Sequence, residues 1–232
     1  MSKYLIVGAS SGIGQKLALK LSEEGKKIFA TYCKNKPESE NEFIDYNYLN
    51  VLDENLSFDY MPDSIDGVVY CPGSMNLKPF SRIKPEEFIN DFNLHVTGAV
   101  KVIQSVLPKL IKADNSSIVL FSTVAVQTGF KFHTQISASK GAVEGFTRAL
   151  AAELAPKIRV NCIAPSLTDT PLAASLLNSE QKAEANALRH PLKRIGSAND
   201  IACMAEFLLS EKAAWITGQI LHVDGGMSSV RI

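Results

Sequence analysis

Neither sign of charge dominates this chain: Lys+Arg and Asp+Glu are equal at 24 each over 232 residues. With no basic stripe and no acidic tail, nucleic acid and anionic membranes are poor default partners. No apolar run is long enough to span a bilayer. A glycine-rich loop begins at Gly8, which leaves no room for the apolar region of a signal peptide, so a cytoplasmic protein is expected. Cysteine is scarce. Cys33, Cys71, Cys162 and Cys203 lie far apart and form no CxxC pair. That spacing argues against a disulfide framework or a metal site and predicts buried free thiols in a reducing cytosol. Tyrosine stops early, with none after Tyr70. Internal repeats, low-complexity tracts and domain linkers are also lacking, so residues 1–232 read as a single domain.

What the chain does have is alternation. Short apolar runs bounded by turn residues, at 4–8, 27–31, 67–70, 117–122, 157–164 and 219–226, predict strands. Between them, segments of helical period predict helices over 13–25, 85–110, 136–154 and 199–210. Val- and Ile-rich strands alternating with helices imply βαβ units and a parallel sheet covered on both faces. The fold class is therefore α/β, a doubly wound three-layer sandwich with a parallel sheet.

The first strand runs directly into Gly8-Ala9-Ser10-Ser11-Gly12-Ile13-Gly14, which opens the first helix. Glycines there let the backbone turn tightly and approach a pyrophosphate, whose charge then sits at the helix N-terminus. The spacing is GxxxGxG, and no Gly-Lys-Ser/Thr follows, which excludes a Walker-type phosphate loop. By itself such a triplet also fits an ordinary tight turn; its place after the first strand of an alternating chain favours a nucleotide site.

Seven segments, ASSGIG, NLHVTGAV, IVLFST, SASKGAV, RVNCIAPSLTDTPL, RIGSANDIA and WITGQILHVDGG, together resemble the short-chain dehydrogenase/reductase family, in its 3-oxoacyl-[acyl-carrier-protein]-reductase-like branch. The resemblance runs from residue 4 to about 226 in the family's order. It implies a Rossmann-like fold, a nicotinamide cofactor, a small-molecule carbonyl or alcohol substrate, and a homotetramer or homodimer packed partly through the helices at 85–110 and 136–154. By the same resemblance Ser10, Ser11, Gly12, Ile13 and Gly14, with Gly8 and Gly73, would line the cofactor. Lys140 would hold its ribose and Thr170 would reach its carboxamide.

The family's catalytic set of Asn, Ser, Tyr and Lys survives poorly. In YxxxK the two side chains share a helix face. The lysine's charge lowers the phenol's pKa, and the phenol moves the proton on the substrate oxygen. Here the lysine is Lys140, but the tyrosine position is Ile136, the serine position Thr123 and the asparagine position His95. Gly129, Ala138 and Ser139 keep the family spacing, so the loss of the phenol is not a misalignment. Two replacements suggest themselves: His95 as an acid near neutrality and Thr123 as a hydroxyl for the carbonyl oxygen. His95 also has a bland reading, as a polar residue within a long helix satisfied by its neighbours or water, and the aliphatic hydroxyl of Thr123 is a poor acid. His133 lies in the loop before the helix and reads as surface.

Other departures are Tyr70-Cys71-Pro72-Gly73 in place of NNAG, Ser166 after Pro165, and Asn50 where an acid meets the adenine. Asn161, Thr170, Arg194, Gly196 and Asp224-Gly225-Gly226 match. The second strand ends at Tyr32, with no carboxylate for a ribose 2′-hydroxyl and Lys34 just beyond, so NADP(H) is favoured over NAD(H). The reading is an NADP(H)-dependent oxidoreductase with an altered proton donor. The alternative is a catalytically silent homologue that binds nucleotide or pairs with a paralogue. A lyase or isomerase step using His95 is a third.

Overall fold

The computed structural model describes residues 1–231. In chain order, β1 (Lys3–Val7), α1 (Gly12–Glu23), β2 (Lys27–Tyr32), β3 (Ile44–Tyr48) and β4 (Gly67–Tyr70) make the first half. Then come α2 (Pro85–Phe92), a π-helical turn (Asn93–Thr97), α3 (Gly98–Ile111), β5 (Ser116–Phe121), the single turn α4 (Ala125–Thr128), α5 (Thr134–Leu154) and β6 (Ile158–Pro165). The remainder is β7 (Thr168–Asp169), a 3-10 turn (Pro171–Leu176), α6 (Glu180–Leu188), β8 (Gly196–Ser197), α7 (Ala198–Leu209) and β9 (Ile220–Val223).

Seven strands form one all-parallel sheet in the order β3-β2-β1-β4-β5-β6-β9. The central strands are buried on both faces, which is why they read as unbroken apolar runs. Successive side chains still alternate between two cores. Leu5, Val7, Ile118 and Leu120 pack on the side of α3 and α5, with Val102, Val106, Leu110 and Val143. Tyr4, Ile6, Val119 and Phe121 pack on the other side, with Leu17 and Leu21 of α1 and Ile201, Ala205 and Leu208 of α7.

Three expectations need amendment. The helix expected over 85–110 has a π turn in its middle, at the position of His95. The edge strand β3 was not among the runs read as strands. Its sequence IDYNY carries Asp and Asn, which disfavour strands, and only Ile44 is buried. The expectation that all four thiols are buried fails. Cys33 lies beyond β2 and Cys203 on the outward side of α7, and both are exposed; Cys71 is half-buried and only Cys162 is buried. Among the described residues, no helix is long and apolar enough to cross a membrane.

Candidate active site

From β1 the chain moves to β2 and β3 in one direction; from β4 it moves to β5 and β6 in the other. The crevice lies where these directions diverge, at the carboxyl ends of β1 and β4. The glycine loop occupies one wall of it. Gly8 and Gly12 have φ of +77° and +57°, conformations that a side chain would strain. A Cβ on Gly14 would stand 2.4 Å from the carbonyl oxygen of Gly8, so α1 meets the loop backbone to backbone. Thr31 anchors the loop from β2: its Oγ1 accepts from the Gly8 N–H at 3.0 Å, and its carbonyl from the Ala9 N–H at 2.8 Å. Ser11 sits at the N-cap of α1 with no side-chain capping bond, and its neighbours Ser10, Gly12 and Ile13 are partly exposed. The first N–H groups of α1 therefore face the crevice, an arrangement suited to a phosphate.

Two further segments close on that loop. Pro72 packs against Gly8, and Thr170 stands over Gly12, with its Cβ 3.4 Å from where a Gly12 Cβ would be. Gly73 faces His95, whose Nε2 lies 3.4 Å from a Cβ placed there. Thus the loop from Gly8 to Gly14, Gly73 and Thr170 meet at the carboxyl ends of β1, β4 and β7, with His95 of the π turn buried behind Gly73. Lys34 lies outside it, exposed in the loop after β2.

The lysine arrives from α5. Lys140 Nζ donates to the carbonyl of Phe121, the last residue of β5, at 2.9 Å. Burial of the ammonium lowers its pKa to about 8, against the opposing influence of Cys162, Asp91 and Cys71. One turn earlier, Ile136 is buried. Thr123, just past β5, is partly exposed, and its Oγ1 accepts from the Ala125 N–H at 3.3 Å. His133 caps α5 at the surface and bonds the Lys131 carbonyl through Nδ1 at 2.8 Å.

His95 is 1% exposed. Its Nδ1 lies 3.0 Å from the carbonyl oxygen of Asp91 and 3.3 Å from Asp91 Oδ2. Both are acceptors, so Nδ1 carries the hydrogen. Nε2 faces the Ser74 N–H at 3.1 Å. A backbone N–H can only donate, so Nε2 is bare and the imidazole neutral. Burial and the nearby Lys140 cation lower its pKa, consistent with that state. Burial opposes the charge on Asp91, but His95 and Ser74 Oγ, the latter at 2.6 Å from Oδ1, hold its pKa below the ordinary value.

Tyr70 explains the π turn. Its hydroxyl donates to the Leu94 carbonyl at 2.6 Å, taking that oxygen out of the helical ladder. The Gly98 N–H, its ordinary partner, reaches back to Asn93 instead. Gly98 is needed because a Cβ there would stand 2.4 Å from the Tyr70 hydroxyl. An inserted side chain of this kind is a known cause of such bulges. Gly98→Ala should therefore destabilise the protein by about 1–3 kcal/mol through overpacking. Tyr70→Phe should cost about 1–3 kcal/mol by leaving a buried carbonyl without its partner. In the double variant the clash and the wedge vanish together. Its loss, read from urea unfolding, should be smaller than the sum; additive losses would show that the two do not act as a pair.

The residues that sequence reasoning passed over are Asp91, Ser74 and Tyr70 as a wedge. Asp91 and His95 are four apart on a helix, which was a visible signal. Nothing local to Ser74 or Tyr70 indicated their partners. Three of the matched residues of the second half have structural contacts. Asn161 ties β6 to the chain before β9 through Ile216 and Gln219. Arg194 pairs with Asp200 at 2.6 and 2.9 Å. Asp224 caps the turn at Gly226 and Ser228.

Comparison with known proteins agrees with this architecture. The family described as enoyl-(acyl carrier protein) reductase matches residues 56–228. The 3-oxoacyl-[acyl-carrier-protein] reductase FabG of Thermotoga maritima is 34% identical over 239 residues, covering 96% of each chain. Among solved structures, ligand-free aldohexose dehydrogenase of Thermoplasma acidophilum superposes with a TM-score of 0.92 at 28% identity, over 99% of this chain and 95% of that one. ElxO with NADP bound gives 0.87 at 25% identity, over 99% of each. With the parallel sheet, the glycine loop and the lysine of α5 all in place, the chain belongs to the short-chain dehydrogenase/reductase family of oxidoreductases, as a 3-oxoacyl-[acyl-carrier-protein]-reductase-like member.

Proposed function

We propose that this protein is an NADP(H)-dependent oxidoreductase that interconverts a small-molecule carbonyl and its alcohol with a non-standard proton donor. The observation that carries the reading is the crevice itself: an uncapped helix start behind Gly8, Gly12 and Gly14, with Thr170 above it. The residues fit a dinucleotide. Ser10, Ser11, Gly12, Ile13 and Gly14 would take the pyrophosphate, Gly73 would admit the nicotinamide ribose beside Lys140, and Thr170 would meet the carboxamide. When bound, the reduced nicotinamide supplies a hydride. The chain's own residues then have to orient the carbonyl, exclude water and deliver a proton to its oxygen.

The preference for NADP(H) rests on the end of β2. Tyr32 stands edge-on to Tyr48 with ring centres 6.0 Å apart, and the loop continues through Cys33 to the exposed Lys34. That stretch holds no carboxylate to repel a 2′-phosphate, and Lys34 supplies a cation. The NADP-bound relative supports the same choice. A cytoplasmic setting and assembly as a homotetramer or homodimer fit this reading.

Calorimetric titration with NADPH and with NADH tests it. NADPH should bind at least about ten-fold more tightly, the equivalent of one good charged contact. Tighter binding of NADH would reverse the preference, and binding of neither would end the oxidoreductase reading. The second reading, a silent homologue that pairs with a paralogue, draws on Ile136, whose buried hydrocarbon occupies the place of a proton donor. It predicts nucleotide binding with no turnover on ketones, aldehydes or 3-oxoacyl thioesters.

A further inference from the structure

We propose that Lys140 itself gives the proton to the substrate oxygen, standing in for the absent phenol. This rests on the oxidoreductase reading above. The crevice offers few groups with a hydrogen to spare. Ile136 has none. Thr123 carries only an aliphatic hydroxyl, which is a poor acid. His95, the replacement suggested by its residue type, has its one N–H directed at Asp91 and its bare nitrogen covered by the Ser74 N–H, and the ring is sealed from solvent. To act it would have to leave both partners. His133 is held at the surface by the Lys131 carbonyl. The Cys71 thiol is pushed up to about 12 by burial and keeps its proton too firmly.

Lys140 differs from all of these. An ammonium has three N–H groups, and one acceptor, the Phe121 carbonyl, is within bonding distance. Two N–H groups are left over, one for the nicotinamide ribose beside it and one for the substrate oxygen. The ionisable groups set around it are Asp91 from α2, His95 from the π turn, Cys71 after β4 and Cys162 in β6. Of these only Asp91 is charged near neutrality, because His95 is neutral and both thiols are held protonated. A lysine brought to about 8 is cationic at pH 7 yet far more acidic than an exposed one, the condition for an efficient general acid.

The step balances simply. Hydride addition at the carbonyl carbon breaks the C–O π bond, and its electron pair collects on oxygen. That oxygen forms an O–H bond as an Nζ–H bond of Lys140 breaks. Lysine is left as a neutral amine and regains its proton from solvent. In the oxidative direction the neutral amine is the base.

The sign of the pH dependence follows. Carbonyl reduction needs the ammonium, so its rate is level below about pH 8 and falls roughly ten-fold per unit above it. Alcohol oxidation rises through the same range. Two measurements test the assignment. The first, on the unmodified protein, is competitive labelling of its lysines with acetic anhydride as a function of pH, read by peptide mass spectrometry. Lys140 should show a midpoint near 8 while exposed lysines label only at much higher pH; a midpoint like theirs would overturn the proposal. The second compares Lys140→Arg with the parent. Arginine keeps the cation but gives up no proton in this range. At saturating NADPH, so that any loss of ribose binding drops out, kcat for reduction of a ketone, aldehyde or acyl thioester panel should fall at least about 100-fold and the alkaline limb should disappear.

An unchanged rate and limb in Lys140→Arg would sink the proposal and leave the oxidoreductase reading standing. Tight NADPH binding by the parent without turnover of any substrate would also overturn it, in favour of the silent homologue. Absence of nucleotide binding by the parent would remove the reading beneath it.

Discussion

On the proposed function, Gly14→Ala should weaken NADPH binding at least about 100-fold, from the geometry of the loop. Its Cβ would stand 2.4 Å from the Gly8 carbonyl oxygen, 3.1 Å from the Gly8 carbonyl carbon and 3.2 Å from Ala9 Cα. All three are backbone atoms, so no rotamer change relieves the contact. Nor can the loop simply withdraw, since Thr31 holds Gly8 and Ala9 from below and Pro72 packs on Gly8. Helix α1 must move away from the loop by about 1 Å to restore ordinary contact, and displacement on that scale costs about 100-fold or more at a site whose partners are fixed. The expected result is at least a 100-fold loss of NADPH affinity by calorimetry, with a stability loss of about 1–3 kcal/mol. The control is Gly145→Ala on α5, where an added Cβ meets nothing within 4 Å. It should stabilise the helix by about 0.5–1 kcal/mol and leave binding unchanged. Retained affinity in Gly14→Ala would show that the nucleotide, if bound, does not sit on this loop.

Ile136→Tyr raises carbonyl reduction. The substitution returns a phenol one helical turn before Lys140, on the same face, with the cation placed to favour its ionised form. General acid catalysis is worth about 10²–10⁴-fold in all; with Lys140 already giving a proton, the expected gain in kcat/KM on the substrate panel is about ten-fold. Ile136 is buried, so the larger ring costs about 1–3 kcal/mol of stability, or a few degrees in Tm. NADPH affinity should change little. The variant also separates the two roles of the lysine. Once the phenol donates, Lys140 is asked for charge and not for a proton, so Lys140→Arg should be far less damaging beside Ile136→Tyr than alone. Equal damage in both backgrounds would mean that the added phenol never becomes the donor. No gain in rate at all would mean that the site has lost more than one group.

The division between what was legible in the sequence and what was not has a physical basis. The fold was legible because its signals are local and repeated. Buried parallel strands appear as short Val/Ile runs, and amphipathic helices as a 3.6-residue period. The loop from Gly8 to Gly14 is contiguous, and Lys140 and Ile136 share a helix face by spacing alone. The emptiness of the tyrosine position could be read for the same reason. Edge strand β3 escaped notice because an edge strand needs only one apolar face and tolerates Asp45 and Asn47.

Tertiary structure alone decided the state of His95. Its residue type pointed to an acid, but ionisation depends on which atoms lie 3 Å from each ring nitrogen. Those atoms come from Asp91, one turn away, and from Ser74, 21 residues away. The π turn that seats the ring likewise depends on Tyr70, which arrives from the end of a strand 24 residues before Leu94. Cys203 came out exposed because it sits on the side of α7 turned away from the sheet, and Cys33 because it lies in the loop beyond β2; neither follows from residue type. Sequence spacing determined which groups this protein carries and the order in which the sheet presents them. Packing across the sheet determined which of those groups still has a proton to give, because a hydrogen bond between distant segments leaves no trace in either segment alone.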